Sequence, residues 1–243
     1  MSALVASALA AWMATSSLPL AAPRPPAKSA TPPKILNVVR QKLKRGSTRA
    51  YQSLEASIAK AYEHAHVRIF WTCLQSQTDA TDILYLNAAD SLDQWDEITA
   101  RYTQAVAAHP DLVKAQDRLR TLGSSPPTST LTTRRDDVAF SRTDVDLQTM
   151  KALRLTVFEV TAGREGRFVR AIRTGADRSS PWLLYEANDA STFFLLAPLR
   201  SAAEAARGPA LPHRVQDLKG VYTVTESTVY LIRPAMSHLE RRR

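Results

Sequence analysis

Two tryptophans anchor a repeat that constrains the fold of this chain more than any other feature. The segment running from Trp71 through Cys73 and Asp82 to Leu86 can be laid on the segment from Trp182 through Asp189 to Leu196 with one residue skipped. A recurring unit folds alike each time and buries its apolar face against its neighbour, so the repeat sets architecture before any single residue sets chemistry.

The order of elements around the tryptophans is also duplicated. Residues 35–44 alternate as a strand, and Gly46 breaks it ahead of a helix carrying Tyr51, Leu54, Ile58 and Ala61/Tyr62 on one face. Residues 67–74 and 82–87 read as strands, and a second helix turns Leu92, Trp95, Ile98, Tyr102 and Val106 inward before stopping near His109 and Pro110. The second half gives a strand over 153–160, a break at Gly163, and a helix carrying Phe168 and Ile172. Strands over 182–186 and 192–196 follow, then a helix over 202–207. Gly46 precedes Tyr51 by the interval that separates Gly163 from Phe168. Ser91/Gln94 and Ser201/Glu204 both have the spacing of a capping box. Each half closes with a further extended segment, 137–142 and 228–233. Residues 123–130 read as a turn-rich loop and 141–150 as the junction.

The unit is therefore β-α-β-β-α-β, twice, in an α+β chain. Such a sheet has helices on one face only, and its bare face needs a cover. The other repeat's sheet is the simplest cover, giving a barrel-like sandwich within one chain.

Charge distribution limits the classes of partner. The net charge is +9, but residues 1–60 hold nine Lys/Arg against one acid, Glu55, and residues 240–243 form a basic tail. The body between them is close to neutral, which disfavours a general nucleic-acid binder. Arg40, Lys42 and Lys44 alternate with other residues and read as the solvated side of a strand and turn. RNA-recognition modules share the β-α-β-β-α-β order, but no strand here has their paired aromatics in a Gly/Lys-rich run, so RNA binding is the lowest of three readings. Residues 1–22 are uncharged and end in small residues, as a secretory signal peptide does, though without its positively charged start. The expectation is a periplasmic or secreted protein, with a cytoplasmic one as the alternative. The leader is too short and interrupted for a stable membrane span. A proline-rich linker, 23–34, should be extended and mobile. The single cysteine, Cys73, excludes an intramolecular disulfide framework and reads as a buried, inert thiol.

The order of elements, the Gly-started first helix and the aromatic-ended second strand resemble the dimeric α/β-barrel superfamily of ferredoxin-like folds. Within it the chain looks most like NIPSNAP-type domains in tandem, the closing Val229-Tyr-Leu-Ile-Arg233 included. The resemblance covers residues 35–239, with repeats over 35–142 and 151–239, and rests on order and spacing rather than on a catalytic motif. It implies a small-ligand site in the cleft between sheet and helices, which makes Trp71, Tyr85, Trp182, Tyr185 and Tyr222 the pocket candidates. An apolar wall with a few polar tips suits a ligand, although tryptophans at equivalent positions also serve as core.

Other chemistry finds little support. His64 and His66 have no third or fourth ligand nearby, so no metal is assigned. His109 and His213 stand near helix ends, where haem-binding relatives can place a ligand, but a histidine there more often answers the helix dipole. There is no Gly-x-Ser-x-Gly, no Cys with a histidine base and no phosphate-cradling loop. No catalytic residue and no cofactor is assigned. The first functional reading is a module binding a small apolar ligand or a protein partner, as monomer or homodimer. The second is a cofactor-independent oxygenase or isomerase, which needs a polar group of shifted pKa facing a cavity.

Overall fold

A computed structural model describes residues 32–64, 69–138, 147, 150–175, 182–205, 215 and 218–238. The leader, most of the linker, His66, His213 and the basic tail lie outside the described residues. Eight strands close one antiparallel barrel in the order β1-β3-β2-β8-β5-β7-β6-β4. They are β1 Ile35–Lys42, β2 Thr72–Ser76, β3 Asp82–Ala89, β4 Thr128–Arg134, β5 Ala152–Val160, β6 Leu183–Ala187, β7 Thr192–Leu199 and β8 Tyr222–Ile232. The helices among the described residues are α1 Thr48–His64, α2 Leu92–Ala108, α3 Pro110–Leu122, α4 Glu165–Gly175 and α5 Ala202–Ala205.

Each half contributes four strands in the same order, first strand beside third and fourth on the outside, so the duplication in sequence is a duplication in space. The halves join at two equivalent seams. Leu74, Gln75 and Ser76 pair with Ile232, Leu231 and Tyr230, while Thr132, Thr133 and Arg134 pair with Ala187, Glu186 and Tyr185. Gly46 and Gly163 both adopt a left-handed backbone, φ 84° and 78°, at the turn into α1 and α4. That conformation costs a residue with a Cβ about 1 kcal/mol, which accounts for the repeated break.

Strand alternation divides the apolar residues into three layers. Leu36, Val38, Leu74, Leu84, Leu155, Leu183, Phe194 and Leu196 fill the barrel interior. Tyr51, Ile58, Tyr62, Trp71, Cys73 and Ile83 lie between the first sheet and its helices. Phe158, Phe168, Ile172, Trp182, Phe193 and Leu195 form the matching layer of the second half.

Several expectations are corrected. The first half closes with β4, not with 137–142: Val138 ends a turn, and 139–142 lie outside the described residues. α2 stops at Ala108 beside His109 and Pro110 as expected, but Pro110 also starts a further helix, α3, where its missing N–H is no loss in a first turn. Of the α2 residues expected to face inward, Ile98 and Val106 pack against the apolar layer, but none is fully buried and Leu92 is 54% exposed; α3 is the helix packed against α1. The capping boxes form in altered shape. Ser91 accepts from the Gln94 amide at 3.1 Å, but the Gln94 and Glu204 side chains accept from Asp90 and Arg200, the residues before each serine. The end of the linker is seated: Pro32 is buried, its carbonyl accepts from the Arg134 guanidinium, and the Pro33 carbonyl accepts from Tyr185 Oη at 2.9 Å. No helix among the described residues is long and apolar enough to cross a membrane.

Candidate functional site

The five candidate residues fall in three places. Trp71 and Tyr85 lie under α1, and Trp182 and Tyr222 lie in the matching layer of the second half. Tyr185 points into the barrel, not into a sheet-helix cleft, because its strand position has the parity of Leu183 and Ala187. The structure thus brings Trp71 to the same layer as Tyr85 but does not gather the five into one pocket. Trp71 is held as core: its indole N–H donates to the Met236 carbonyl at 2.8 Å, and its ring meets Tyr62 edge-on at 5.4 Å and His238 at 5.2 Å. Tyr222 donates to the Val215 carbonyl and packs edge-on against Phe158.

Tyr85 has a different setting. Its hydroxyl lies 2.7 Å from that of Tyr51 and interacts with the carboxyl of Glu55, one turn further along α1. Glu55 is 5% exposed, whereas Tyr85 is only partly buried. Burial pushes the Glu55 carboxyl up to about 8, against an ordinary 4.5, while the Tyr85 hydroxyl draws it back by favouring the charged form. Burial also raises Tyr51, Tyr85 and the Cys73 thiol, so all three remain protonated near neutrality. Tyr51 and Tyr85 share a hydrogen bond in which either hydroxyl can donate, and Tyr85 also interacts with the Glu55 carboxyl, so the three groups form one polar cluster. Cys73 stands opposite Tyr85 in the β2–β3 register. Beside the cluster, Gln75 accepts from Gln52 at 3.1 Å and from Arg233 at 2.8 Å and donates to the Ala80 carbonyl. That amide is held at both its oxygen and its nitrogen and serves as a brace.

The second half carries other residues at the corresponding positions. Counted from the two glycines, Tyr51 matches Phe168 and Glu55 matches Ile172. Counted from the tryptophans, Cys73 matches Leu184, and the strand registers match Tyr85 with Leu195. All four counterparts are apolar and buried. Phe158, Phe168 and Phe193 interlock there with ring centroids 5.0 and 5.2 Å apart. A carboxyl and two hydroxyls under α1 are therefore not a requirement of the barrel.

A second polar cluster, missed in the sequence, closes one mouth of the barrel. Arg40 stands at the barrel mouth on the strand face of Leu36 and Val38, its side chain 41% exposed. Its Nε and Nη2 donate to the two Asp82 oxygens at 3.0 and 2.7 Å, and Nη1 pairs with Glu226. Tyr230 Oη lies 2.8 Å from Glu226 and 3.1 Å from Asp82. The register shift between Val157 and Phe158 in the β5–β8 ladder begins next to Glu226, where a bulge re-aims side chains. Its equivalents in the other half are Val157, Thr192 and Thr132 for Arg40, Asp82 and Tyr230. The donors and acceptors satisfy one another, so this mouth is closed by a network.

A groove of about 350 Å³ opens between α1 and α3, lined by Ser57, Ile58, Ala61, His109, Leu112 and Ala115 among others. His109 is exposed on its rim. Among the described residues no group of three or more His, Cys, Asp or Glu side chains is placed to hold a metal.

These features define an α+β fold of two ferredoxin-like repeats whose sheets close into one barrel within a single chain. Solved structures of the same fold cover most of it. A candidate monooxygenase of Fusobacterium nucleatum aligns at TM-score 0.58 and 10% identity, over 83% of this chain and 93% of its own. A candidate monooxygenase of Lactobacillus acidophilus aligns at 0.52 and 9% over the same shares. An anthrone oxidase-like protein aligns at 0.51 and 13%, over 87% of this chain and 96% of its own. No protein-family model and no curated protein matches the sequence. The likeness is one of fold.

Proposed function

We propose that this chain is a cofactor-independent oxygenase or isomerase that abstracts a proton from a small apolar substrate in the first half, with Glu55 as base. One observation carries this reading: a buried carboxyl meets a two-tyrosine hydrogen-bond chain where the sister half has only Phe, Ile and Leu. A general base works best with a pKa near the working pH, and burial supplies that here. In the oxygenase form, Glu55 takes a C–H proton and the carbanion adds dioxygen. Loss of water then leaves a carbonyl at that carbon. For anthrone, one dioxygen is consumed and anthraquinone and one water form. Anthrone is the first probe because one protein of this fold is described as anthrone oxidase-like. Dioxygen uptake with anthrone should require the protein, rise with pH through about 8, and fall at least a hundredfold in Glu55→Gln. Uptake unchanged in that variant overturns the assignment of Glu55.

The binding-module reading, NIPSNAP-like in type, is favoured by the close ring packing around Trp71, which makes that residue a wall and not a reactant. Occupancy without turnover in the anthrone assay would select it. Export through residues 1–22 belongs to the same proposal and is tested by the N-terminal sequence of the mature protein.

A further inference from the structure

Each half's sheet-helix layer is closed along one side by a segment of the other half. Past β8 the chain leaves the ladder, makes a short 3-10 turn at Pro234–Met236, and returns beside β2, where Trp71 and His238 form a bridge. Met236 is buried in the layer of Tyr62 and Cys73, and the turn packs against α1. Past β4, residues 135–138 leave the ladder in the same way and place Val138 in the layer of Phe168. The backbones correspond. Arg233 N–H donates to the Cys73 carbonyl as Arg135 N–H donates to that of Leu184, both at 2.8 Å, and the N–H groups of Met236 and Val138 each donate back to their arginine. The Arg233 guanidinium donates to Gln75 and that of Arg135 to Glu186, which occupy equivalent strand positions.

The two straps are fastened differently. Asp136 pairs with Lys34 and Arg134, and Asp137 with Arg135, so the middle of the strap over the second half is tied on its outer side. Over the first half those places belong to Pro234 and Ala235, which are exposed and have no side chain that can pair. This strap is held at its ends instead. Arg233 meets Gln75, which also accepts from Gln52 of α1, and His238 lies against Tyr62 near the other end of that helix, ring centroids 6.1 Å apart. Between Gln52 and Tyr62 the same helical face carries Glu55 and Ala59, three or four residues apart at each step. The strap therefore runs along the stripe that holds Glu55, one chain thick, with Met236 inside and Pro234 and Ala235 outside.

We propose that residues 233–238 are the cover of the Glu55 site and open by release of Met236 to admit an apolar substrate, so that the second half, which lacks the polar cluster, supplies the gate for the first. Methionine suits that place, since an unbranched, flexible side chain can leave and refill an irregular apolar gap. That the gate serves a substrate rests on the reading of Glu55 as a base.

Cys73 is a built-in reporter. It is the chain's only cysteine, its N–H donates to Ser237 Oγ at 2.9 Å, its carbonyl accepts from Arg233, and its thiol interacts with Glu55 and Tyr85. Alkylation of the full chain by iodoacetamide thus reads the opening. Release of one strap exposes little surface, so the wild-type rate should be nearly flat in urea below the unfolding transition. Met236→Ala and Ser237→Ala should each raise that rate about tenfold or more, whereas Val138→Ala, the matching change in the other strap, should leave it within about twofold. A wild-type rate that climbs with the full urea dependence of global unfolding, no acceleration in the two strap variants, or equal acceleration in Val138→Ala overturns the proposal. The two readings fail separately. Local opening at Cys73 with full anthrone turnover in Glu55→Gln removes only the base. Lost turnover in that variant with Cys73 labelled only through global unfolding removes only the gate.

Discussion

Glu55→Gln tests the physics of the site independently of any substrate. In the folded chain the Glu55 carboxyl stays neutral up to about pH 8, while in the unfolded chain it ionises from about 4.5. Between those values the folded state holds one more proton, so raising the pH favours unfolding and stability declines across this window. At about 1.4 kcal/mol per pH unit, the full interval corresponds to roughly 5 kcal/mol, and with Glu55 5% exposed there is little solvent to screen it. Glutamine keeps the shape and cannot ionise. Urea unfolding at pH 5, 6, 7, 8 and 9 should show wild-type stability falling most steeply between 5 and 8, while Glu55→Gln lacks that component. The difference should grow with pH and level off above 8. Parallel stability curves for the two proteins would refute the claim that burial raises this carboxyl.

Three further outcomes follow from the pseudo-symmetry and the barrel mouth. Replacing Tyr51, Glu55 and Tyr85 together by their counterparts, Phe, Ile and Leu, should stabilise the fold by about 1–4 kcal/mol and abolish proton transfer, as read by denaturant midpoint and anthrone turnover. Phe168→Ala removes a fully buried ring from the second half; it should cost about 3–5 kcal/mol by the same denaturation assay and leave turnover per folded molecule unchanged. Arg40→Ala leaves Asp82 and Glu226 facing each other at the barrel mouth; partial exposure of the guanidinium moderates the cost to about 2 kcal/mol. That loss should exceed any from the exposed Asp111–Lys114 pair.

The duplicated order was legible because its signals are local: a positive-φ glycine before each first helix, a tryptophan before each second strand, and alternation along β1, β3, β5 and β7. β4 was not legible. Its sequence, Thr128–Arg134, follows two prolines and carries Leu131 as its one large apolar residue, while residues 137–142 offered Val138 and Phe140 and read as the better strand. Closure decides in favour of β4, since its Thr132 and Arg134 must pair with β6 to complete the barrel. Closure also brings Asp82 and Glu226 to Arg40, partners that strand alternation alone could not reveal. Glu55 was within reach of the sequence. It stands four residues after Tyr51 and three before Ile58, a carboxylate on an otherwise apolar helical stripe, and that mismatch is the signal that could have found the site. Tyr85 was found for its ring, but the partners that distinguish it from Trp71, namely Glu55 and Tyr51, come from a different element and become neighbours only when α1 packs on the sheet.

The most direct test of the central claim is hydrogen exchange at the anthrone methylene in D2O without oxygen, since it reads proton abstraction and nothing after it. Protein-dependent exchange that rises with pH through about 8 in the wild type and is lost in Glu55→Gln is the predicted result. Exchange at equal rates in the two proteins, over the whole pH range, would contradict the account.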